Sequence, residues 1–204
     1  MISKIRSLFL DSDFSELFNQ AGISLILRLC GQAAGFLLTI LIARHFGASG
    51  LGKYVLAIAI LRGFSILAKL GLDIFSVRFI AFFAKKKMWK SIIFFKKRIQ
   101  ILLVFTSLFC SILMYFLSEK IALIINAEVF HIELNSFLVL PMTFFILNYQ
   151  SLRGLKKIAH FSFYFRVSQA LFSILCVFIL IKFSESSDIP IYAYLCSLLI
   201  VFAL

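Results

Sequence analysis

Acidic residues are scarce in this chain: 9 Asp and Glu among 204 residues, against 21 Lys and Arg. Charge of either sign is scarce too, at 15% of residues where a soluble domain carries about 25%. With 62% hydrophobic residues and a mean hydropathy of +1.05, the polar surface that a globule needs is missing, which excludes a soluble fold. There is no zinc-type His/Glu cluster, because His45, His131 and His160 stand isolated. The run of acidic residues expected of a metal-dependent glycosyl or phosphoglycosyl transferase is missing as well. Cys30, Cys110, Cys176 and Cys196 all fall inside apolar runs without metal-ligand spacing, so they read as small hydrophobic residues rather than a disulfide framework. No enzymatic activity and no cofactor are expected. Met1–Gln20 is short of apolar length and carries Asp11, Asp13 and Glu16, unlike the core of a cleavable signal, so the first helix is expected to act as an uncleaved anchor.

What the chain does have is long apolar runs. Spans are expected at Ile23–Ala43, Tyr54–Leu72, Ile99–Leu117, Ser136–Leu152, Phe161–Ile181 and Pro190–Leu204, the first five near the ~20 residues that cross a bilayer core. The expected fold is all-α: a polytopic transmembrane helix bundle over residues 23–204, preceded by a cytoplasmic segment, 1–22. A shorter apolar stretch, Ile74–Ala84, is placed along the cytoplasmic interface. The last span is short and has no charged stop after Leu204, which reads as a truncated bundle. The loops are too short for an extramembrane domain.

The net charge of +12 belongs to topology rather than to nucleic acid, since the basic residues cluster between apolar runs. Lys85, Lys86, Lys87, Lys90, Lys96, Lys97 and Arg98 follow span two, and Arg153, Lys156 and Lys157 follow span four. Glu119, Glu128 and Glu133 follow span three, and Glu185 and Asp188 follow span five. Both basic loops fall on one side only if the amino terminus is cytoplasmic and every span crosses once. Arg44 and Lys53, in the first loop, run against this rule. The glycine-rich GASGLG of Gly47–Gly52 follows no strand and reads as a tight turn.

A cationic side chain in mid-membrane costs at least ~2.5–3.5 kcal/mol, so it usually faces a bundle interior or an aqueous cavity. Arg28, Gln32, Gly35 and Thr39 form one stripe at ~100° per residue, with Gly31 and Gly35 spaced for close helix approach. Arg62, Lys69 and Asp73 lie nearly on a line in span two, with Lys69 and Asp73 at ion-pair spacing. Ser162, Arg166, Gln169 and Ser173 share a face of span five. Pro141 and Asn148 share one in span four, where the proline is expected to mark a bend. Arg28 and Arg166, near helix ends, also fit snorkelling to the interface, and Lys69–Asp73 fits a buried ion pair. A lumen with several cationic stripes and few acids suits an anionic headgroup, and guanidinium suits phosphate.

Ser24–Ala81 resembles the opening of the oligosaccharide flippases, the Wzx-type polysaccharide exporters of the MOP superfamily, which also holds lipid II flippases and the MATE drug exporters. The likeness rests on an Arg in the first helix, A-R-x-x-G at Ala43–Gly47, G-x-Y at Gly52–Tyr54, and G-L-D with a following Arg at Gly71–Asp73 and Arg78. YQSLRGLKK, Tyr149–Lys157, resembles the basic turn after the fourth helix. The resemblance implies the first of two pseudo-symmetric bundles around a central cavity in a bacterial cytoplasmic (inner) membrane. The implied substrate is an undecaprenyl-pyrophosphate-linked repeat unit of O-antigen, capsule or a related lipopolysaccharide-type glycan, with membrane lipids and other polysaccharide-assembly proteins as partners. Arg28, Gln32, Arg62, Lys69, Asp73, Arg78 and Arg166 are the expected substrate-binding residues. Another MOP transporter, moving lipid II or small molecules, is the alternative; a cation exporter is expected to carry more intramembrane acids.

Overall fold

The computed structural model describes residues 12–125, 128–182 and 188–203, with side chains described from residue 19 to 202 within these. Among them are helices and turns and no strand. The helices run α1 (Ser12–Lys69), α2 (Leu72–Lys85), α3 (Trp89–Phe116), α4 (Ser118–Ile125), α5 (Val129–Ser136), α6 (Val139–Gly154), α7 (Ile158–Ile181) and α8 (Ile189–Ala203). Most of the expected segment 1–22, the residue Glu185 and the end at Leu204 lie outside the description.

Among the described residues, three helices are long and apolar enough to cross a membrane: Asn19–Lys69, Trp89–Phe116 and Ile158–Ile181. A fourth arises if α5 and α6, bent by 47° at their junction, form one span, while Ile189–Phe202 is apolar but shorter. Only 22–28% of the most apolar window in each long helix is buried within the protein, so most of these side chains point outward. Phe36, Phe105, Phe109, Phe116 and Phe178 are among them. An apolar surface of that extent is stable only in lipid, and this is a membrane protein.

α1 is two helices joined without a loop. Gly47 has φ 69° and ψ −173°, a region open essentially to glycine alone, and the helical path resumes at once beyond it. We call the halves α1a (12–46) and α1b (48–69). The expected loop between the first two spans therefore shrinks to one residue, and the second helix starts well before Tyr54. α1b ends where Leu70 (φ 47°) and Gly71 (φ 78°) turn left-handed, so Asp73 begins a separate helix rather than extending the line of Arg62 and Lys69. Proline at 141 lies in the first turn of α6, where no helical partner needs its missing N–H; the bend precedes it, at Phe137 and Leu138.

α6 is the central helix. Val139, Met142, Thr143, Phe145, Ile146, Leu147 and Tyr149 are buried all round it, as expected of a helix apolar on every face. Leu61 and Ala68 of α1b, Met114 of α3, Ile132 of α5 and Leu198 of α8 close on it as one core. A second cluster joins Leu38 and Ile42 of α1a to Cys176 and Val177 of α7 and Ala193 of α8. Several buried serine hydroxyls are satisfied locally or across helices: Ser65 donates to the Leu61 carbonyl (2.7 Å), and Ser173 and Ser197 bond each other (2.8 Å). All four cysteines are free.

Two turns share one pattern. After α2, the amides of Lys86, Lys87, Met88 and Trp89 bond the carbonyls of Phe82, Ala84, Phe83 and Lys87. After α6, Leu155, Lys156, Lys157 and Ile158 repeat the same offsets onto Ser151, Arg153, Leu152 and Lys156. This is the Schellman closure, and the left-handed position, usually glycine, is Lys87 (φ 55°) in one and Lys156 (φ 60°) in the other.

Candidate functional site

The polar residues of α1a, α1b and α7 converge. Gly31 of α1a sits directly on the backbone of Arg166: a Cβ there would lie 2.7 Å from the Arg166 Cβ and 2.9 Å from its carbonyl carbon. Gly35, one turn on, has open space instead, so only the first half of the expected small-residue pair makes a close crossing. At the same place α7 widens into a π-helical turn, Phe163–Ser168, a distortion concentrated at functional sites. It carries Arg166, whose guanidinium lies 4.6 Å from the Phe165 ring centroid. Phe165 in turn stacks on Phe161 (5.5 Å, 13°) and meets Tyr149 at 5.4 Å.

Three cavities adjoin along this seam. One, about 280 Å³, is lined by Arg62, Tyr149, Arg166 and Gln169 among apolar residues of α6. The next, about 260 Å³, is lined by Gln32, Thr39, Tyr54, Arg62, Arg166 and Tyr194. The third, about 590 Å³, adds Arg28, Gln150, Arg153 and Lys156 to Arg166. Arg166 lines all three, and among the described residues no carboxylate lines any of them. Arg28, Gln32, Arg62 and Arg166 remain exposed on the open side.

Within the cavities, several buried polar atoms have no hydrogen-bond partner: the Tyr194 hydroxyl, Gln169 Nε2 and Gln150 Oε1. The Tyr194 hydroxyl faces both Arg62 and Gln169 but meets neither with hydrogen-bonding geometry. Each such group costs about 1–3 kcal/mol while neither protein nor water pairs with it.

Of the expected site residues, the structure brings together Arg28, Gln32, Arg62 and Arg166. Lys69 and Asp73 line none of the three cavities and form an ion pair, Nζ to Oδ2 3.1 Å, each side chain 13% exposed. Arg78 is exposed on α2 and lines none of the three cavities. Tyr194, Tyr149, Arg153 and Lys156 join the site unanticipated. Gln169 was legible as a partner of Arg166 three residues away; Tyr194 sits in an apolar run where only its hydroxyl sets it apart.

A second polar cluster lies beside the Gly47 break. Lys53 Nζ contacts Glu128 Oε1 (3.1 Å) and Asp188 Oδ1 (3.0 Å), and His131 Nε2 lies 3.3 Å from Glu128 and 3.4 Å from Asp188. Lys53, which ran against the charge rule, is thus balanced by acids from two other segments. The buried His131 ring makes no hydrogen bond of good geometry. Compared with family models, with curated proteins and with solved structures, the chain matches none.

Proposed function

We propose that this chain is one bundle of a transporter that moves an anionic, lipid-linked oligosaccharide across a bacterial cytoplasmic membrane for surface-polysaccharide assembly. The observation that carries the reading is the seam itself: Arg28, Arg62 and Arg166 around adjoining cavities that no described acid lines, in a protein whose exterior is apolar. Planar, always-charged guanidinium groups are suited to bidentate phosphate recognition, and three of them near one another match a pyrophosphate better than a neutral solute. The open side supports a second bundle opposite this one, because exposed arginines at membrane depth are stable only against protein or water. Six crossings with a cytoplasmic amino terminus belong to the same reading: the break at Gly47 divides α1 into two crossings, and α8 supplies the last. The likeness to oligosaccharide flippases supplies the lipid-linked glycan. The same superfamily's drug exporters, which bind cations, fit less well with a seam lined by no described carboxylate.

In the proposed cycle, Arg62 and Arg166 hold the phosphates, Arg28 with Arg153 and Lys156 draws the headgroup in from the basic end, and the Tyr149–Phe161–Phe165 wall offers sugar rings an apolar face. The test is complementation. The complete gene carrying Arg62→Ala is expressed in a strain lacking its own flippase, and surface glycan, trapped lipid-linked intermediates and membrane protein level are measured. Loss of glycan with intermediates trapped, at normal protein level, is the expected result; normal glycan removes Arg62 from the substrate path.

A further inference from the structure

α3 is longer than a bilayer requires. Its 28 residues span about 42 Å at ~1.5 Å per residue, against a hydrocarbon core of ~30 Å. All its charged residues, Lys90, Lys96, Lys97 and Arg98, lie in the first ten positions, so the surplus length stands at that end, at headgroup level. Trp89, exposed at the same end, is the residue type that marks the membrane–water boundary.

Beside this end lies a groove of about 490 Å³ between α2 and α3. Its walls are aromatic: Phe79 and Phe83 from α2, Phe94 and Phe95 from α3, with Phe79 stacked on Phe95 at 4.5 Å and 10°. Its rim is cationic: Lys90 and Arg98, two turns apart on the stripe that also holds Phe94. The Arg98 guanidinium lies over the Phe94 ring at 4.5 Å, and Lys86 over Phe82 at 4.3 Å. No Asp or Glu occurs between Asp73 and Glu119, and no cation from Lys85 to Arg98 is in an ion pair with a described residue. The groove thus offers positive charge that no described acid pairs with, directly above an apolar floor.

We infer that this groove is a binding site for an anionic glycerophospholipid, its phosphate between Lys90 and Arg98 and its upper acyl chain against the four phenylalanines. Charge complementarity selects the anion, and the aromatic walls select a lipid over a soluble phosphate, which gains nothing from them. Topology alone asks for positive charge at this end of the bundle but not for a groove to concentrate it. A basic side chain near the membrane surface is worth about fivefold in anionic-lipid binding, so two on one rim give a preference well above that of the bulk surface.

The experiment reconstitutes the full chain in bilayers of dioleoylphosphatidylcholine with dioleoylphosphatidylglycerol. Spin-labelled lipids of either headgroup report, by electron paramagnetic resonance, the motionally restricted fraction. Wild type is expected to favour phosphatidylglycerol by about fivefold or more. Lys90→Gln with Arg98→Gln is expected to bring the preference close to one without lowering the melting temperature, since both side chains are exposed. Lys85→Gln with Lys97→Gln, both exposed at the same end but outside the groove, is expected to leave it within about twofold of wild type, because at most the general surface potential changes. Unchanged preference in the first double variant, or an equal fall in both, overturns the site. Displacement of the labelled lipid by millimolar glycerol phosphate also overturns it, because that outcome assigns the rim to a soluble anion.

Discussion

Replacing Gly31 with alanine puts a methyl group against the strand of chain that carries Arg166. The new Cβ lies 2.7 Å from the Arg166 Cβ and 2.9 Å from its backbone carbon and oxygen, where ordinary contact begins near 3.4 Å. The difference, 3.4 − 2.7, means α1a and α7 must part by about 0.7 Å. None of these atoms is the tip of a flexible side chain, so nothing can swing aside. Overpacking of this kind costs about 1–3 kcal/mol, and a helical Gly→Ala returns roughly 0.5–1 of it. Gly35 supplies the matched control: it lies one turn along the same helix with nothing within 4 Å, so Gly35→Ala is expected to be neutral or mildly stabilising. Melting temperatures of the two variants in detergent, and glycan complementation by the complete gene carrying each, form the assay. Gly31→Ala is expected to lower both stability and export, because the displaced Arg166 no longer serves all three cavities. If Gly31→Ala behaves like Gly35→Ala in both measurements, the close crossing does not position Arg166 and the reasoning fails.

Lys69→Met leaves the Asp73 carboxylate largely buried and alone, at a cost of about 3–5 kcal/mol, whereas Lys69→Met with Asp73→Leu recovers most of it; denaturant melts of both variants measure the recovery. Lys53→Met leaves Glu128 and Asp188 facing each other without their shared ammonium; because the pair is partly exposed, the expected loss is about 1–2 kcal/mol, and adding Asp188→Asn should return part of it in a double-mutant cycle. Lys156→Gly relieves a left-handed non-glycine residue and is expected to raise the melting temperature by the equivalent of about 0.5–1 kcal/mol, a gain that Lys156→Ala, which keeps a Cβ, does not show.

The helical class and the apolar runs were legible because 3.6-residue periodicity and hydropathy are local properties. The convergence of Arg28, Arg62 and Arg166 was legible only as three separate stripes; which stripes meet depends on the Gly31 crossing and the π-helical turn, both products of packing between distant segments. Lys69 and Asp73 were readable as a pair at fixed spacing, but not their removal from the seam, which follows from two left-handed residues between them. Tyr194 could not be singled out, since a buried tyrosine in an apolar run looks the same whether its hydroxyl is satisfied or, as here, points at Arg62. Lys53 ran against the charge rule for a reason visible only in three dimensions: its counter-charges, Glu128 and Asp188, come from segments 75 and 135 residues away.

The junction at Gly47 makes α1b a lever. Two torsion angles of a single residue join it to α1a, and Arg62 lies 15 residues beyond that residue, about 22 Å along the axis. A rotation of about 10° at the junction therefore carries Arg62 roughly 4 Å sideways, enough to take the guanidinium from hydrogen-bonding distance of a phosphate to beyond it. The Lys53 contacts, six residues from the pivot, act close to the fulcrum, where a small shift corresponds to a larger displacement at Arg62. A side chain at position 47 would reset that angle, and with it the shape of the arginine seam, without touching any residue that lines it.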